Sequence, residues 1–287
     1  MINTSQELVK IALNNIKNVA KKNRKANKVL TGFTELDDLT SGFKPGELTV
    51  IAGRPGMGKT AFATTLARNM AIGFEYPVAF FTLDMSSIKL IIRMISSETG
   101  ISSEKLRKGN LEEHQWSLLN VKSGNLYNSS IFIDDTPYLS YYNLAEKTSR
   151  LISQHDIKII IIDNIQLMNL RNRSLKNREK EISIIIKHLK ALALEFEIPI
   201  IFLSVLSRTV ETRGGSKRPL LSDLQEEIDA DTVLYIYRPE YYGLTEWEDG
   251  SPCEGQAELV VAKHLSSDLK NIRLQFIGHL ASFKDLN

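Results

Sequence analysis

Residues 50–62 read VIAGRPGMGKTAF, and the spacing inside this stretch decides how the rest of the chain is read. Gly53, Gly58, Lys59 and Thr60 match the phosphate-loop pattern G-x-x-x-x-G-K-[ST] in full. The apolar run ELTVIAG before it predicts a strand, and TAFATTLARNMAI after it predicts a helix. That context suits the chemistry. Glycines let backbone N–H groups turn inward around phosphate oxygens, and a helix N-terminus adds positive potential. The Lys59 ammonium has the reach for β and γ phosphates, and the Thr60 hydroxyl suits a Mg2+ shell. The loop Gly53, Arg54, Pro55, Gly56, Met57, Gly58, Lys59, Thr60 and Ala61 is therefore expected to line a bound nucleotide.

Outward from the loop, strands and helices alternate. PVAFFTLDMS reads as a strand and SIKLIIRMISSETG as a helix; IKIIIIDNIQL is apolar enough for a central strand of a parallel sheet. REKEISIIIKHLKALALEFE has helical periodicity, and IPIIFLSVLS returns as a strand. DTVLYIYRP, AELVVAKH and IRLQFIG follow at short intervals, as antiparallel strands at one side would. The pattern is one α/β domain, a mostly parallel sheet with helices on both faces, over residues 29–287. Residues 101–130 form a polar, helical excursion. In residues 1–28, Leu8, Ile11, Ala12, Ile16, Val19 and Ala20 recur at helical spacing, and the basic run KKNRKANK reads as a linker. That apolar stripe needs a cover, from its own domain or from a neighbouring subunit.

Two carboxylates end candidate strands. Asp163 follows four isoleucines, which places it at a strand tip where it can hold the water shell of magnesium beside the loop. Asp84 ends AFFTLD; residue type alone leaves it equally a water-activating base or a turn residue.

Composition excludes more than it assigns. With 287 residues, 43% hydrophobic and 24% charged, the chain is an ordinary globular one, and a net charge of +2 announces no nucleic-acid partner by itself. Cys253 is the single cysteine, so no intrachain disulfide or cysteine zinc site is possible, and a buried, neutral thiol is expected. The five histidines lack metal-ligand spacing. No apolar run reaches the roughly 18 residues of a membrane span. The first residues do not resemble a signal peptide, so a cytoplasmic, non-membrane protein is expected.

In order along the chain, TGFTELDDLTSGFKPGEL, GRPGMGKTAF, LDMS, IFIDDTP, IIIIDNIQL, LKALALEFEIPII, LSR and RPEYYG resemble the motor domain of DnaB-type replicative DNA helicases. These form a hexameric branch of the RecA-like ATPases. The resemblance runs from Leu30 to Phe283 and implies a RecA-like P-loop NTPase fold preceded by a linker helix. It implies a homo-oligomeric ring, hexameric in the family, with ATP and Mg2+ at subunit interfaces, which translocates on single-stranded DNA and unwinds duplex. Lys59, Asp84 and Asp163 are then the catalytic residues, with Thr60 and Asp163 at the metal. Arg54, Arg93 and Lys263 are expected near nucleotide. The family's separate N-terminal domain, which engages primase, has no counterpart here; contact with primase or a helicase loader would run through it. Either the sequence is an excised motor domain or the natural protein lacks that part. Two basic segments would face the channel of such a ring. One carries Arg171, Arg173, Lys176 and Arg178; the other carries Arg208, Arg213, Lys217 and Arg218. Neither holds an aromatic residue, so backbone tracking rather than base stacking is expected.

Four positions depart from the family pattern. Asp84 stands where the family has glutamate, one methylene longer. Val205 replaces a glutamine able to link the γ-phosphate to the DNA-binding loop. Leu265 replaces the arginine finger, two residues after Lys263. The DNA-contacting loop shortens to QEEIDAD, keeping Gln225 and Glu226 without arginine or glycine. Together they imply weakened hydrolysis or coupling, with weak or absent stimulation of ATPase activity by DNA. The alternative is a nucleotide-binding ring or assembly protein that does not unwind. A different RecA-like ATPase is a third reading, disfavoured by the unbroken motif order.

Overall fold

A computed structural model describes residues 9–10 and 28–286, apart from 171–176, 215–216, 225–228 and 265–268. Most of the amphipathic N-terminal segment, with Arg171, Arg173, Lys176, Gln225, Glu226 and Leu265, lies outside the described residues.

The elements run α1 (Thr34–Thr40), β1 (Leu48–Gly53), α2 (Lys59–Arg68), β2 (Val78–Thr82), α3 (Ser87–Thr99), α4 (Ser103–Lys108) and α5 (Glu113–Tyr127). They continue with β3 (Ile131–Asp134), α6 (Tyr141–His155), β4 (Ile159–Asp163), α7 (Arg178–Phe196), β5 (Ile200–Val205) and α8 (Thr209–Thr212). β6 (Thr232–Tyr237), β7 (Gln256–Lys263), β8 (Asn271–Ile277) and β9 (Ser282–Asp285) complete the chain. Nine strands form one sheet in the order β3-β2-β4-β5-β1-β6-β7-β8-β9. The first six in that order pair in parallel, and β7, β8 and β9 add antiparallel. β6 is thus the seam: parallel to β1 on one side, antiparallel to β7 on the other.

The isoleucine run of β4 shows why the central strands are apolar throughout. Ile159 and Ile161 enter the core with Phe62, Leu66 and Phe80, while Ile160 and Ile162 enter the opposite core with Ile185, Leu189 and Phe202. Both sheet faces are covered by helices, so neither side of the alternation can be polar. α4 and α5, in the polar excursion, bury no residue fully. β3 and β9 are strands that periodicity did not mark; each is only four residues long.

The order places β1 between β5 and β6, so the chain leaves β1 toward one side and later fills the other. Ligands of open α/β sheets sit at such a switch point, outside the carboxyl ends of the strands. The loop of residues 54–58 occupies it.

Candidate nucleotide site

β1 is buried along its whole length and delivers Gly53 to the sheet edge. A Cβ on Gly53 would stand 3.2 Å from the Ile236 carbonyl oxygen. Gly58, at φ 98°, begins α2 in left-handed backbone that an L side chain rarely adopts. No side chain caps that helix, leaving its leading N–H groups directed at the space above the loop.

Three side chains converge there. Lys59 folds over its own loop, its Nζ donating to the carbonyls of Gly53 (2.8 Å) and Arg54 (3.2 Å). Burial pushes its pKa down to about 8; the Asp163 charge opposes that shift and the Arg54 charge adds to it. The Thr60 hydroxyl donates to Asp163 Oδ2 at 2.7 Å. Asp163 is almost wholly buried at the tip of β4, and burial raises its pKa. The Thr60 hydrogen bond and the Lys59 charge pull it back, Asp84 raises it further, and Arg93 lowers it. A hydroxyl and a carboxylate already in contact, facing an uncapped helix start, match the oxygen-rich, partly hydrated shell that Mg2+ prefers beside phosphates. Among the described residues, no group of three His, Cys, Asp or Glu could hold a metal alone. The Thr60 hydroxyl and the Asp163 carboxylate would supply two oxygens to such an ion.

Asp84 arrives beside them through sheet register. Thr82 of β2 pairs with Asp163 of β4, and the Leu83 N–H donates to the Asp163 carbonyl at 2.6 Å. Asp84 is exposed at this exit, open to the water it would act on. Arg93 projects from α3, whose start is fixed by Asp135: its carboxylate accepts from the Ser87 N–H (2.8 Å) and hydroxyl (2.9 Å).

Arg54 behaves differently. Its guanidinium is engaged by the segment after β5, Nε donating to Glu211 at 2.8 Å and Nη1 to the Leu206 carbonyl at 2.7 Å. Lys263 lies at the other end of the strands from its own loop: it pairs with Val233 near the start of β6 and donates to the Ala230 carbonyl at 2.6 Å.

Of the basic segments, Arg208 is exposed at the start of α8. Arg213 pairs with buried Asp223, and Lys217 donates to the Arg213 carbonyl. Arg218 pairs with Glu248 at 3.0 Å and with buried Glu258 at 2.8 Å. Arg178 pairs with buried Glu181 at 2.6 Å and donates to the Gln166 carbonyl at 2.9 Å.

Three residues join the site that motif spacing left unassigned. Gln166 bridges the tips of β4 and β5, donating to Ser204 Oγ at 2.8 Å and accepting from the Val205 N–H at 3.3 Å. Arg238 donates to the Gly56 carbonyl at 3.2 Å and lies 3.9 Å over the Phe276 ring. Tyr241 covers Gly56, where a Cβ would come within 2.7 Å of its ring. Arg238 and Tyr241 both belong to RPEYYG, the one signal that singled out this segment. A cavity of about 400 Å³, lined by Gly255, Gln275, Phe276, Gly278 and His279 among others, opens beside Phe276. No helix among the described residues is long and apolar enough to cross a membrane.

Residues 28–285 match the family described as DnaB-like helicase C terminal domain. The chain is 41% identical over 260 residues to the replicative DNA helicase DnaB of Geobacillus stearothermophilus, covering 89% of this chain and 56% of that protein. It is 39% identical, with the same coverage, to the replicative DNA helicase DnaC of Bacillus subtilis. Among solved structures, an isolated ATPase domain superposes with a TM-score of 0.88 at 32% identity, each chain covered in full. A DnaB-like replicative helicase studied with its interactions with primase gives 0.86 at 32% identity, over all of this chain and 68% of that one. The chain thus spans 56% of the length of each of these two relatives.

Proposed function

This chain belongs to the DnaB-like helicase C-terminal domain family, and from that premise we propose that it is an ATP-hydrolysing motor domain acting on single-stranded DNA as one subunit of a homo-oligomeric, hexameric ring. The observation that carries the reading is the contact of Thr60 with Asp163 beside Lys59 at the end of β1. Backbone amides of residues 54–60 wrap the phosphates, and Lys59 leaves its two carbonyls for the β and γ oxygens. Thr60 and Asp163 would hold Mg2+, which when bound would supply positive charge beside the phosphates. Asp84 orients the attacking water and takes its proton as the new bond to the γ-phosphorus forms and the bond to the bridging oxygen breaks, leaving ADP and phosphate. Arg93 adds positive charge at the same place. Lys263 serves a neighbouring subunit's nucleotide.

Residues 1–28 serve as a linker to the motor, residues 29–287. A primase or loader contact, where one exists, lies outside the motor. The protein works in the cytoplasm. Arg208, with Arg171, Arg173, Arg213, Lys217 and Arg218, forms the DNA-facing set, and Arg208 leads it because the other described members are tied within the chain.

That pairing favours a second reading on one point: a ring subunit that binds nucleotide yet couples weakly to DNA. Steady-state ATPase rates with and without single-stranded DNA, beside Lys59→Ala, separate the two. Turnover abolished by Lys59→Ala supports the enzyme; a DNA stimulation near one assigns weak coupling. No Lys59-dependent turnover in assembled rings contradicts the proposal.

A further inference from the structure

The exit of β5 is gripped by the phosphate loop through Leu206. Its N–H donates to the Gly53 carbonyl at 3.3 Å, and its carbonyl accepts from Arg54 Nη1 at 2.7 Å. Arg54 also holds Glu211 on α8 at 2.8 Å, so one guanidinium spans both ends of the segment 206–211. Lys59 bonds the same Gly53 carbonyl, and the Arg54 carbonyl beside it. An ammonium drawn away to phosphate therefore changes the partners of the Gly53 carbonyl, one of the two groups that hold Leu206 in place.

The Arg54 side chain is only 8% exposed, whereas Glu211 is 38% exposed. A buried guanidinium needs an anion or strong acceptors, and a planar fork that engages two at once resists sliding between them. The loop and the segment should then move together. Arg208, two residues past Leu206, is exposed and belongs to the candidate DNA-facing set. Val205, immediately before Leu206, has no side-chain group for the hydrogen bond that a glutamine would make there.

We propose that Arg54 and Glu211 form a coupling latch, transmitting the state of the phosphate loop to residues 206–211 and thereby to Arg208. This rests on the nucleotide reading of the loop, and it makes both residues positioning residues. Arg54 acts through Glu211 and Leu206, and phosphate is left to Lys59 and the backbone.

Amide hydrogen exchange of the full chain tests this, with and without Mg2+ and a non-hydrolysable ATP analogue. In the unaltered chain, exchange should change at residues 53–60 and at 206–213. In Glu211→Ala the response at 53–60 should persist while that at 206–213 falls about fivefold or more, the lower end of ordinary coupling. Glu211→Asp, which keeps the carboxylate, should recover part of it. An undiminished response at 206–213 in Glu211→Ala overturns the latch. So does a response in the unaltered chain confined to 53–60. Absence of any response at 53–60 overturns the nucleotide reading as well, which distinguishes the two failures.

Discussion

The phosphate loop and the segment between β5 and β6 are both rich in charge, and they treat it in opposite ways. At the loop, Lys59 is half-buried against carbonyl oxygens, and Asp163 is buried against a hydroxyl. Each sits in surroundings that shift its titration toward the neutral form. Between β5 and β6, Arg213 is matched to the buried carboxylate of Asp223, which also accepts from the Leu220 N–H at 2.7 Å. Charge held at a cost to the fold marks a place prepared for a ligand, whereas charge neutralised inside the chain marks structure. The same residue types thus shape a candidate ligand site in one region and the fold in the other.

Substitutions should separate the regions cleanly. Lys59→Ala should lower Mg-ATP affinity about 100-fold or more by calorimetry, since charge-assisted contacts to phosphate are lost. Asp163→Asn should cut turnover comparably, yet leave the melting temperature equal or higher, because a buried carboxylate raised by desolvation is relieved. Asp223→Ala should do the reverse. Asp223 accepts from the Leu220 N–H at 2.7 Å and pairs with Arg213, so its loss should cost about 3 kcal/mol in denaturant unfolding. If Asp163→Asn destabilised the fold as much as Asp223→Ala, the contrast between the regions would be gone.

Smaller effects sharpen it. The Lys59 pKa of about 8 belongs to the nucleotide-free chain, and a triphosphate beside it raises that value. Below pH 8 both states are protonated and affinity is level. Above pH 8 binding must take up a proton, so Mg-ATP affinity should fall by up to about tenfold per pH unit, with a matching buffer-dependent heat. The smallest effect is at the proposed DNA-facing set: Arg208→Ala should weaken single-stranded DNA binding at low salt and reduce its salt slope by about one, without loss of stability.

What the sequence made legible follows from how local each feature is. The loop, its strand and its helix are contiguous, so their spacing alone is diagnostic, and Asp163 is marked by the isoleucines before it. Arg54 is different: its direction depends on Glu211, 157 residues away, and no local pattern encodes that contact. Gln166 likewise finds Ser204 only across the sheet. β3 is a short, half-exposed edge strand, and β9 follows a left-handed Ala281, so neither carries a full alternation to read. Family resemblance implied positions near phosphate for Arg93 and Asp84; sheet register brings Asp84 beside Asp163.

The most direct measurement is isothermal titration of the folded, assembled protein with Mg-ATP, alongside Lys59→Ala and Asp163→Asn. The unaltered chain should bind, Lys59→Ala should show little heat, and Asp163→Asn should bind nucleotide with its dependence on Mg2+ weakened. Absence of binding by the unaltered, well-folded chain, or full Mg2+ dependence surviving in Asp163→Asn, would contradict the site described for Lys59, Thr60 and Asp163.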